Sequence, residues 1–253
     1  NDLEWVRQHA PEDGSVEVRD VTDDLACIGL WGPSARDLLG QATNDDVSKK
    51  GFPYLTARQI TVAGKPAWAQ RVSYVGELGW ELLLANDNAD TVWDSLLELG
   101  QAHGIRPAGY KALDSLRMEK GYVYWGTDVT PEDNLLEAGL GFCADMAKGD
   151  FIGRDAFAKR KKEGLQSRLR TVVLEGNAFP AYGAESVWHN GEIVSRLRSA
   201  GHAHTIDKSI AYCYLPLPLA KPGMQVEIEL FGERVPAKVT LPIHDPKGER
   251  LKV

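Results

Sequence analysis

Apolar and polar positions recur with two different periods in the first two thirds of the chain. Residues 25–31 read as a strand, and residues 55–63 and 66–73 alternate like a hairpin around Ala63-Gly64-Lys65. Residues 89–104 instead place apolar side chains at the i, i+3, i+4 and i+7 spacing of an amphipathic helix that stops at a glycine. A second helix is predicted from about residue 108 to 120. The alternation of helices and strands indicates an α+β region.

Beyond residue 164 the pattern becomes one of short strands only. Asn190-Gly191 separates two apolar runs and is typical of a type I′ hairpin turn. Gln225–Leu230 alternates, with Val226, Ile228 and Leu230 on one face. The sequence therefore predicts two domains, an α+β domain over residues 1–164 and a small antiparallel β-barrel or sandwich over residues 165–253.

Two features at the start of the chain lead to further expectations. Val16–Val21 is β-rich and is predicted to form a strand. The residues before it read as a helix with no capping residue and no preceding loop. We therefore expect the first domain to be truncated at its N-terminus and the chain to be a fragment of a longer protein.

The composition argues against several classes of function. The 253 residues carry a net charge of −7, which is unfavourable for nucleic-acid binding or for a polybasic membrane surface. Apolar runs fall far short of the ~20 residues that span a bilayer. Cys27, Cys143 and Cys213 are odd in number and widely spaced, which excludes a disulfide framework and favours a reducing compartment. His202 and His204 have no third ligand nearby in sequence, so no metal site is expected.

One stretch, residues 71–82 with the sequence RVSYVGELGWEL, has the character of a binding site. Its two glycines interrupt a strand and permit close approach of a ligand to the backbone. Glu81 follows within an apolar run, where a carboxylate is costly unless it is paired. A planar ligand edge with two adjacent N–H donors, such as that of a pterin, would pair with it. Alternatively, Glu81 faces solvent or meets an arginine such as Arg71 or Arg117.

Three linked motifs resemble one protein family. They are RVSYVGELGWE at residues 71–81, ALDSLRMEKG at 112–121, and WGTDVTP at 125–131 followed by LEAGL at 136–140. In this order they resemble the folate-binding aminomethyltransferase family, which comprises the glycine cleavage T-protein and its relatives. The sequences of these motifs are most similar to those of the C-terminal folate domains of dimethylglycine and sarcosine dehydrogenases and oxidases. The resemblance covers essentially the whole chain.

The resemblance implies a T-protein-like α+β region followed by a small barrel. It also implies a tetrahydrofolate-binding domain that accepts a one-carbon unit from an N-methyl amine and yields 5,10-methylenetetrahydrofolate. The amine would be oxidised by an FAD domain that lies upstream in the same protein. We expect a cytoplasmic location, with the mitochondrial matrix as the alternative. A non-catalytic regulatory or scaffold relative and a stand-alone T-protein remain the alternative functions.

By the same resemblance, Glu81 matches the family glutamate that holds the pterin ring, with Leu82 and Leu83 beside it on the pocket wall. Tyr74 and Trp80 lie in the same segment. Each of them either offers a stacking surface to the ligand or packs in the core.

Other positions qualify the resemblance. His244 lies where relatives often place an aromatic residue near the pocket. Leu113 departs from the T-proteins, which carry a folate-contacting arginine there, so the folate tail must be held by other groups or more loosely. The family's catalytic aspartate would lie upstream of residue 1, because Asn44-Asp45-Asp46 matches a loop, and no catalytic residue is predicted within the chain.

Three further charged residues are expected to serve structure. Asp114 and Arg117 are three residues apart on one predicted helix and can form an ion pair there. Glu137 precedes a predicted turn.

Overall fold

The computed structural model describes residues 2–176, 181–245, 247 and 249–252. The chain divides into two compact units, and each is described by itself. The first unit comprises Asn1–Ser73, Glu77–Pro107 and Glu249–Val253, and the second comprises Tyr74–Gly76 and Ala108–Gly248. The predicted second helix lies in the same compact unit as the β-rich region, and the domain division near residue 164 stays a prediction.

The described residues form five α-helices and ten β-strands. The helices are α1 (Asp2–Gln8), α2 (Ala35–Ala42), α3 (Ala89–Gly100), α4 (Tyr110–Lys120) and α5 (Arg154–Glu163). The strands are β1 (Leu25–Trp31), β2 (Ala57–Val62), β3 (Lys65–Gln70), β4 (Gly79–Ala85), β5 (Ser167–Leu174), β6 (Ser186–His189), β7 (Glu192–Ala203), β8 (Lys208–Pro216), β9 (Gln225–Leu230) and β10 (Glu233–Thr240). In the part of the chain covered by these ranges, no helix has the length and apolar character needed to cross a membrane.

The first unit is built on a four-stranded antiparallel sheet in the order β1-β4-β3-β2. Alternate residues of its strands pack with the apolar sides of α2 and α3 in one core, whose fully buried members include Leu39, Trp80, Leu82 and Val92. This core lies on one face of the sheet only. The other face of the sheet carries exposed and half-buried side chains, and it is this face that holds the candidate site.

The strand predicted at Val16–Val21 does not form. The segment has no strand partner, and Val16 is 49% exposed. Two local turns replace pairing, since Asp13 accepts hydrogen bonds from Ser15 and Asp20 accepts them from Thr22. Short polar side chains at such spacing compete with strand formation by bonding their own backbone.

The second unit contains a closed six-stranded antiparallel barrel in the order β10-β5-β8-β7-β6-β9, which confirms the predicted barrel. Asn190 and Gly191 both have positive φ, 51° and 86°, as a type I′ turn requires. Val226, Ile228 and Leu230 all point into the barrel core, as their alternation predicts. Helix α4 belongs to this unit, and its Met118 packs with buried residues of β7 and β8. Mixed helices and sheet with a terminal barrel agree with the predicted α+β class.

Candidate functional site

The carboxylate of Glu81 is the central group of the candidate site. Strand β4 places Trp80, Leu82 and Leu84 in the core and turns Glu81 and Leu83 to the opposite face of the sheet. Partial burial raises the pKa of the Glu81 carboxyl, and burial is the whole cause of the shift. Within the described ranges no hydrogen-bond donor or cation lies in bonding distance of this carboxylate. Glu81 is therefore a half-buried acid that the described protein leaves without a partner.

Neither arginine considered from the sequence pairs with Glu81. Arg71 is 1% exposed and donates from its guanidinium to the carbonyl oxygens of Phe52 and Leu251, at 2.7 and 3.2 Å. Arg117 belongs to the second unit and forms ion pairs with Asp114 and Asp128. The interpretation that Glu81 pairs with one of these arginines is therefore wrong. Two interpretations remain: the carboxylate faces solvent, or it binds a ligand.

The indole of Trp31 borders the Glu81 position on the β1 side. Gly29 is the residue directly opposite Glu81 on β1, and a Cβ at Gly29 would lie 2.2 Å from Cη2 of Trp31. A Cβ at Gly79 would lie 2.5 Å from Cδ1 of the same indole. Two glycines thus allow the ring to lie against the sheet, where Nε1 of Trp31 donates to the Val72 carbonyl at 3.1 Å. Trp31 was not among the residues predicted for the site, although its position two residues after Gly29 on a predicted strand puts both on one face.

Gln70 borders Glu81 on the β3 side, where the two residues are direct cross-strand partners. Directly opposite residues on antiparallel strands have their side chains on the same face, with Cβ atoms about 4.5–5.5 Å apart. Leu83 is the next residue of β4 on this face, between Cys27 of β1 and Trp68 of β3. The site is therefore a carboxylate with an amide on one side, an indole on the other and an apolar margin.

Two of the predicted pocket residues lie in the core instead. Trp80 and Leu82 are both fully buried in the core of the first unit. The guanidinium of Arg71 lies 5.8 Å from the centre of the Trp80 ring, and Phe52 meets that ring edge-on at 6.0 Å. Of the alternatives left open for Trp80, the structure favours core packing. Because alternate residues of a strand face opposite ways, Leu82 cannot share the surface of Glu81, whereas Leu83 does.

Tyr74 and His244 both belong to the second unit. The Tyr74 hydroxyl donates to the Val123 carbonyl at 2.8 Å, its ring stacks on Tyr122, and burial is the main cause that raises its pKa. Tyr74 lines a cavity of about 490 Å³ in that unit. The backbone N–H of His244 donates to the Glu119 carbonyl at 2.9 Å. Ligand contact by either residue stays a prediction.

Leu113, the departure from the T-proteins, lines a separate cavity of about 440 Å³ in the second unit together with Lys111 and Arg198. The expected ion pair on α4 is confirmed, since Nε of Arg117 lies 2.8 Å from Asp114. Glu137 accepts hydrogen bonds from the backbone N–H groups of Gln166 and Ser167, which gives it the structural role that was predicted.

Comparison with known proteins decides the family. Residues 1–148 match the GCVT N-terminal domain, and residues 168–244 match the glycine cleavage T-protein C-terminal barrel domain. The chain belongs to the glycine cleavage T-protein family. The two matched regions of this T-protein family chain lie on either side of the division predicted near residue 164.

Individual relatives of this T-protein family member differ in length. The chain is 36% identical over 257 residues to human mitochondrial dimethylglycine dehydrogenase, covering all of the chain and 30% of the relative. It is 33% identical over 227 residues to an aminomethyltransferase of Caldanaerobacter subterraneus subsp. tengcongensis, covering 90% of the chain and 60% of the relative. The crystal structure of aminomethyltransferase T from Bartonella henselae has the same fold, with a TM-score of 0.77 and 24% identity over 88% of the chain and 60% of that protein. The chain thus spans about a third of the dehydrogenase and under two thirds of the aminomethyltransferases.

The raised pKa of Glu81 predicts a particular pH dependence in this T-protein family chain. A carboxyl whose pKa is higher in the folded than in the unfolded state binds its proton more tightly when folded. Its contribution to stability is fully present below the unfolded pKa and is lost as the pH rises through the folded pKa. We expect the Glu81 side chain, labelled with 13C at the carboxyl, to titrate at higher pH in the native chain than in the urea-unfolded chain. Glu81→Gln identifies the resonance, and coincident titrations would contradict the raised pKa.

Proposed function

We propose that this chain is a tetrahydrofolate-binding one-carbon transfer domain in which Glu81 holds the pterin ring. The observation that carries the proposal is the half-buried Glu81 carboxylate, which lies on the open face of a sheet, within the family motif, with no partner in the described residues. A partly desolvated carboxylate without a partner costs free energy, and a ligand that supplies the missing donors would offset that cost.

The donor set suits a pterin. Two adjacent N–H groups of the pyrimidinone edge can bond both oxygens of one carboxylate in a charge-assisted pair. The half-buried Leu83 and the indole of Trp31 provide apolar surface beside that pair, which matches the flat carbon framework of the ring. The alternative, in which Glu81 contacts only water, gives no role to the indole of Trp31 that lies beside it.

The transfer of the one-carbon unit requires little covalent catalysis by the chain. Bound tetrahydrofolate supplies the nucleophilic nitrogens that take up the one-carbon unit. The role proposed for the residues of this chain is to bind and orient that molecule beside its reaction partner and to keep water away, which by proximity alone lowers a barrier substantially. In this proposal Glu81 fixes the position of the ring, and neighbouring apolar side chains exclude water.

The proposed source of the one-carbon unit is an N-methyl amine such as dimethylglycine or sarcosine, oxidised by an FAD domain of the same protein. The similarity to dimethylglycine dehydrogenase over the whole chain supports this assignment, as does Leu113 in place of the T-protein arginine. A stand-alone aminomethyltransferase is the second candidate, supported by the 33% identical relative. A non-catalytic relative with an intact pocket is the third. The proposed location is the cytoplasm. The mitochondrial matrix is the alternative, and the similarity to a mitochondrial dehydrogenase supports it.

The test compares parts of the folate molecule. We expect the chain to bind 5-methyltetrahydrofolate in calorimetry and to bind p-aminobenzoylglutamate, which lacks the pterin, at least tenfold more weakly. The reason is that the bonds to Glu81 are made by the pterin alone, and bonds to a charged group contribute about 1.5–3 kcal/mol each. Equal affinity for the two compounds would contradict recognition through the pterin.

The amine-oxidation assignment needs the larger protein. In a full-length protein that contains this chain, methyl groups from dimethylglycine should appear as 5,10-methylenetetrahydrofolate when tetrahydrofolate is present and as free formaldehyde when it is absent. A protein that instead requires an aminomethylated lipoyl carrier would identify the stand-alone T-protein. A protein that binds tetrahydrofolate but turns over neither substrate would identify the non-catalytic alternative.

A further inference from the structure

We propose that Gln70 donates a hydrogen bond to the C4 oxo group of the pterin and thereby selects 4-oxo over 4-amino pteridines. This inference rests on the proposed function, because it concerns the same ring that Glu81 is proposed to hold. It assigns a specificity-determining role to a residue outside the RVSYVGELGWE motif.

The position of Gln70 is set by the register of the sheet. Gln70 is the direct partner of Glu81 on β3, both residues are half-buried, and both side chains lie on the face opposite the core. Within the described part of the chain the Gln70 amide has no hydrogen-bond partner, as is also true of the Glu81 carboxylate. Two neighbouring half-buried polar groups thus have no partner among the described residues, and both are available to bond the edge of one planar ligand.

The other neighbour of Glu81 cannot play this part. Gly29 occupies the directly opposite position on β1 and has no side chain, and the ring of Trp31 lies where a Cβ would be. A planar ligand bonded to Glu81 therefore has an apolar wall on one side and a single amide on the other. Only the Gln70 side can provide a further hydrogen bond from these two adjacent strands.

The pair matches the order of groups along the pterin edge. That edge presents an oxo acceptor at C4, an N–H donor at N3 and an amino donor at C2. A carboxylate accepts from the two donors, and the amide NH₂ of a neighbouring glutamine donates to the oxo group. A 4-amino pteridine presents a donor at C4 and a bare nitrogen at N3. Turning the Gln70 amide over so that it accepts from the amino group would bring its oxygen beside the carboxylate of Glu81, its direct cross-strand neighbour, and the N3 lone pair would face the same carboxylate.

The inference is tested with two ligands that differ at this edge, folic acid and its 4-amino analogue aminopterin. We expect the wild-type chain to bind folic acid at least tenfold more tightly than aminopterin in calorimetry. Gln70→Leu should weaken folic acid binding about tenfold, the usual effect of one hydrogen bond in a desolvated site, and change aminopterin binding less than twofold. The ratio of the two affinities should therefore fall about fivefold or more, and the preference that remains comes from the N3 lone pair facing Glu81.

The matched control is Gln59→Leu, which removes an exposed glutamine from the same face of the sheet on β2. It should leave both affinities unchanged. Gln70→Met is the second variant, in case Gln70→Leu unfolds, since its flexible side chain fits irregular space. An unchanged ratio of the two affinities in either folded Gln70 variant would overturn the role of Gln70 while leaving the proposed function standing.

A different pattern tests the proposed function separately. If the wild-type chain binds neither compound, or if Glu81→Gln leaves folic acid binding unchanged, the pterin site itself is refuted and the Gln70 assignment with it. If Glu81→Gln abolishes binding and Gln70→Leu weakens both ligands equally, Gln70 supports the site without recognising the oxo group.

Discussion

Glu81→Ala is expected to weaken tetrahydrofolate binding by about 3 kcal/mol, or roughly a hundredfold, while leaving the chain folded. The loss is large because the variant removes both acceptors of a charge-assisted pair. Isothermal calorimetry with 5-methyltetrahydrofolate measures the change. The free energy of unfolding should stay the same or rise, because the variant also removes a half-buried charge that nothing in the described residues compensates.

A loss of folate affinity together with an unchanged or higher free energy of unfolding distinguishes an acid that binds a ligand from one that stabilises the fold. Glu98→Ala, which removes an exposed acid from α3 of the same unit, is the matched control and should alter neither quantity. Glu81→Gln keeps the size of the side chain and should still lose most of the affinity. Unchanged affinity in Glu81→Ala would show that the carboxylate does not hold the pterin.

Much of the fold could be predicted because most elements carry a local signal. The bounds of β1 and β9 follow from periodicity and turn residues, and the hairpin at Asn190-Gly191 follows from the φ values those residues tolerate. Strand β8 lacked such a signal. Its residues 210–213 are buried on both faces, so apolar side chains run without alternation. A continuous apolar run is compatible with a strand or a buried helix, and only its pairing with β5 and β7 decides.

The site could be predicted only in part, because the sequence of one strand does not show which other strands pair with it. Glu81 stands out as a carboxylate in an apolar run, and the family resemblance assigns it to the pterin. Its neighbours Gln70 and Trp31 come from β3 and β1, and only the strand order β1-β4-β3 brings all three to one face. The motif groups Trp80 and Leu82 with Glu81, but the pleat of β4 puts these two residues on the opposite face of the sheet.

The second and third family motifs gain a physical explanation from the barrel unit. Arg117 of the ALDSLRMEKG motif is 2% exposed, and its ion-pair partner Asp128 of the WGTDVTP motif is fully buried. Asp128 also accepts from the backbone N–H of Tyr124 and, at 3.0 Å, from that of Ser199 on β7. The Arg117 guanidinium in turn donates to the Ser199 hydroxyl at 2.8 Å. One buried network thus joins α4, the following loop and the barrel within the second unit.

Asp128→Ala should therefore destabilise the chain by about 3–5 kcal/mol, the usual cost of leaving a buried ion unpaired. The variant strips Arg117 of its buried partner and leaves two backbone N–H groups without acceptors. Urea unfolding monitored by circular dichroism measures the change. Asp114 also pairs with Arg117, but its side chain is 54% exposed, so Asp114→Ala should cost less than about 1 kcal/mol.

The loss of stability expected for Asp128→Ala comes from the unpaired charge that it leaves on Arg117. A double variant tests this cause directly. Arg117→Met combined with Asp128→Leu removes both charges and replaces them with apolar side chains, so it should be less destabilised than Asp128→Ala alone. Asp155→Ala, at a fully exposed position on α5, serves as the control and should stay within about 0.5 kcal/mol of wild type. If the double variant instead lost as much stability as Asp128→Ala, the packing of the motif residues, rather than their charge pairing, would hold α4 to the barrel.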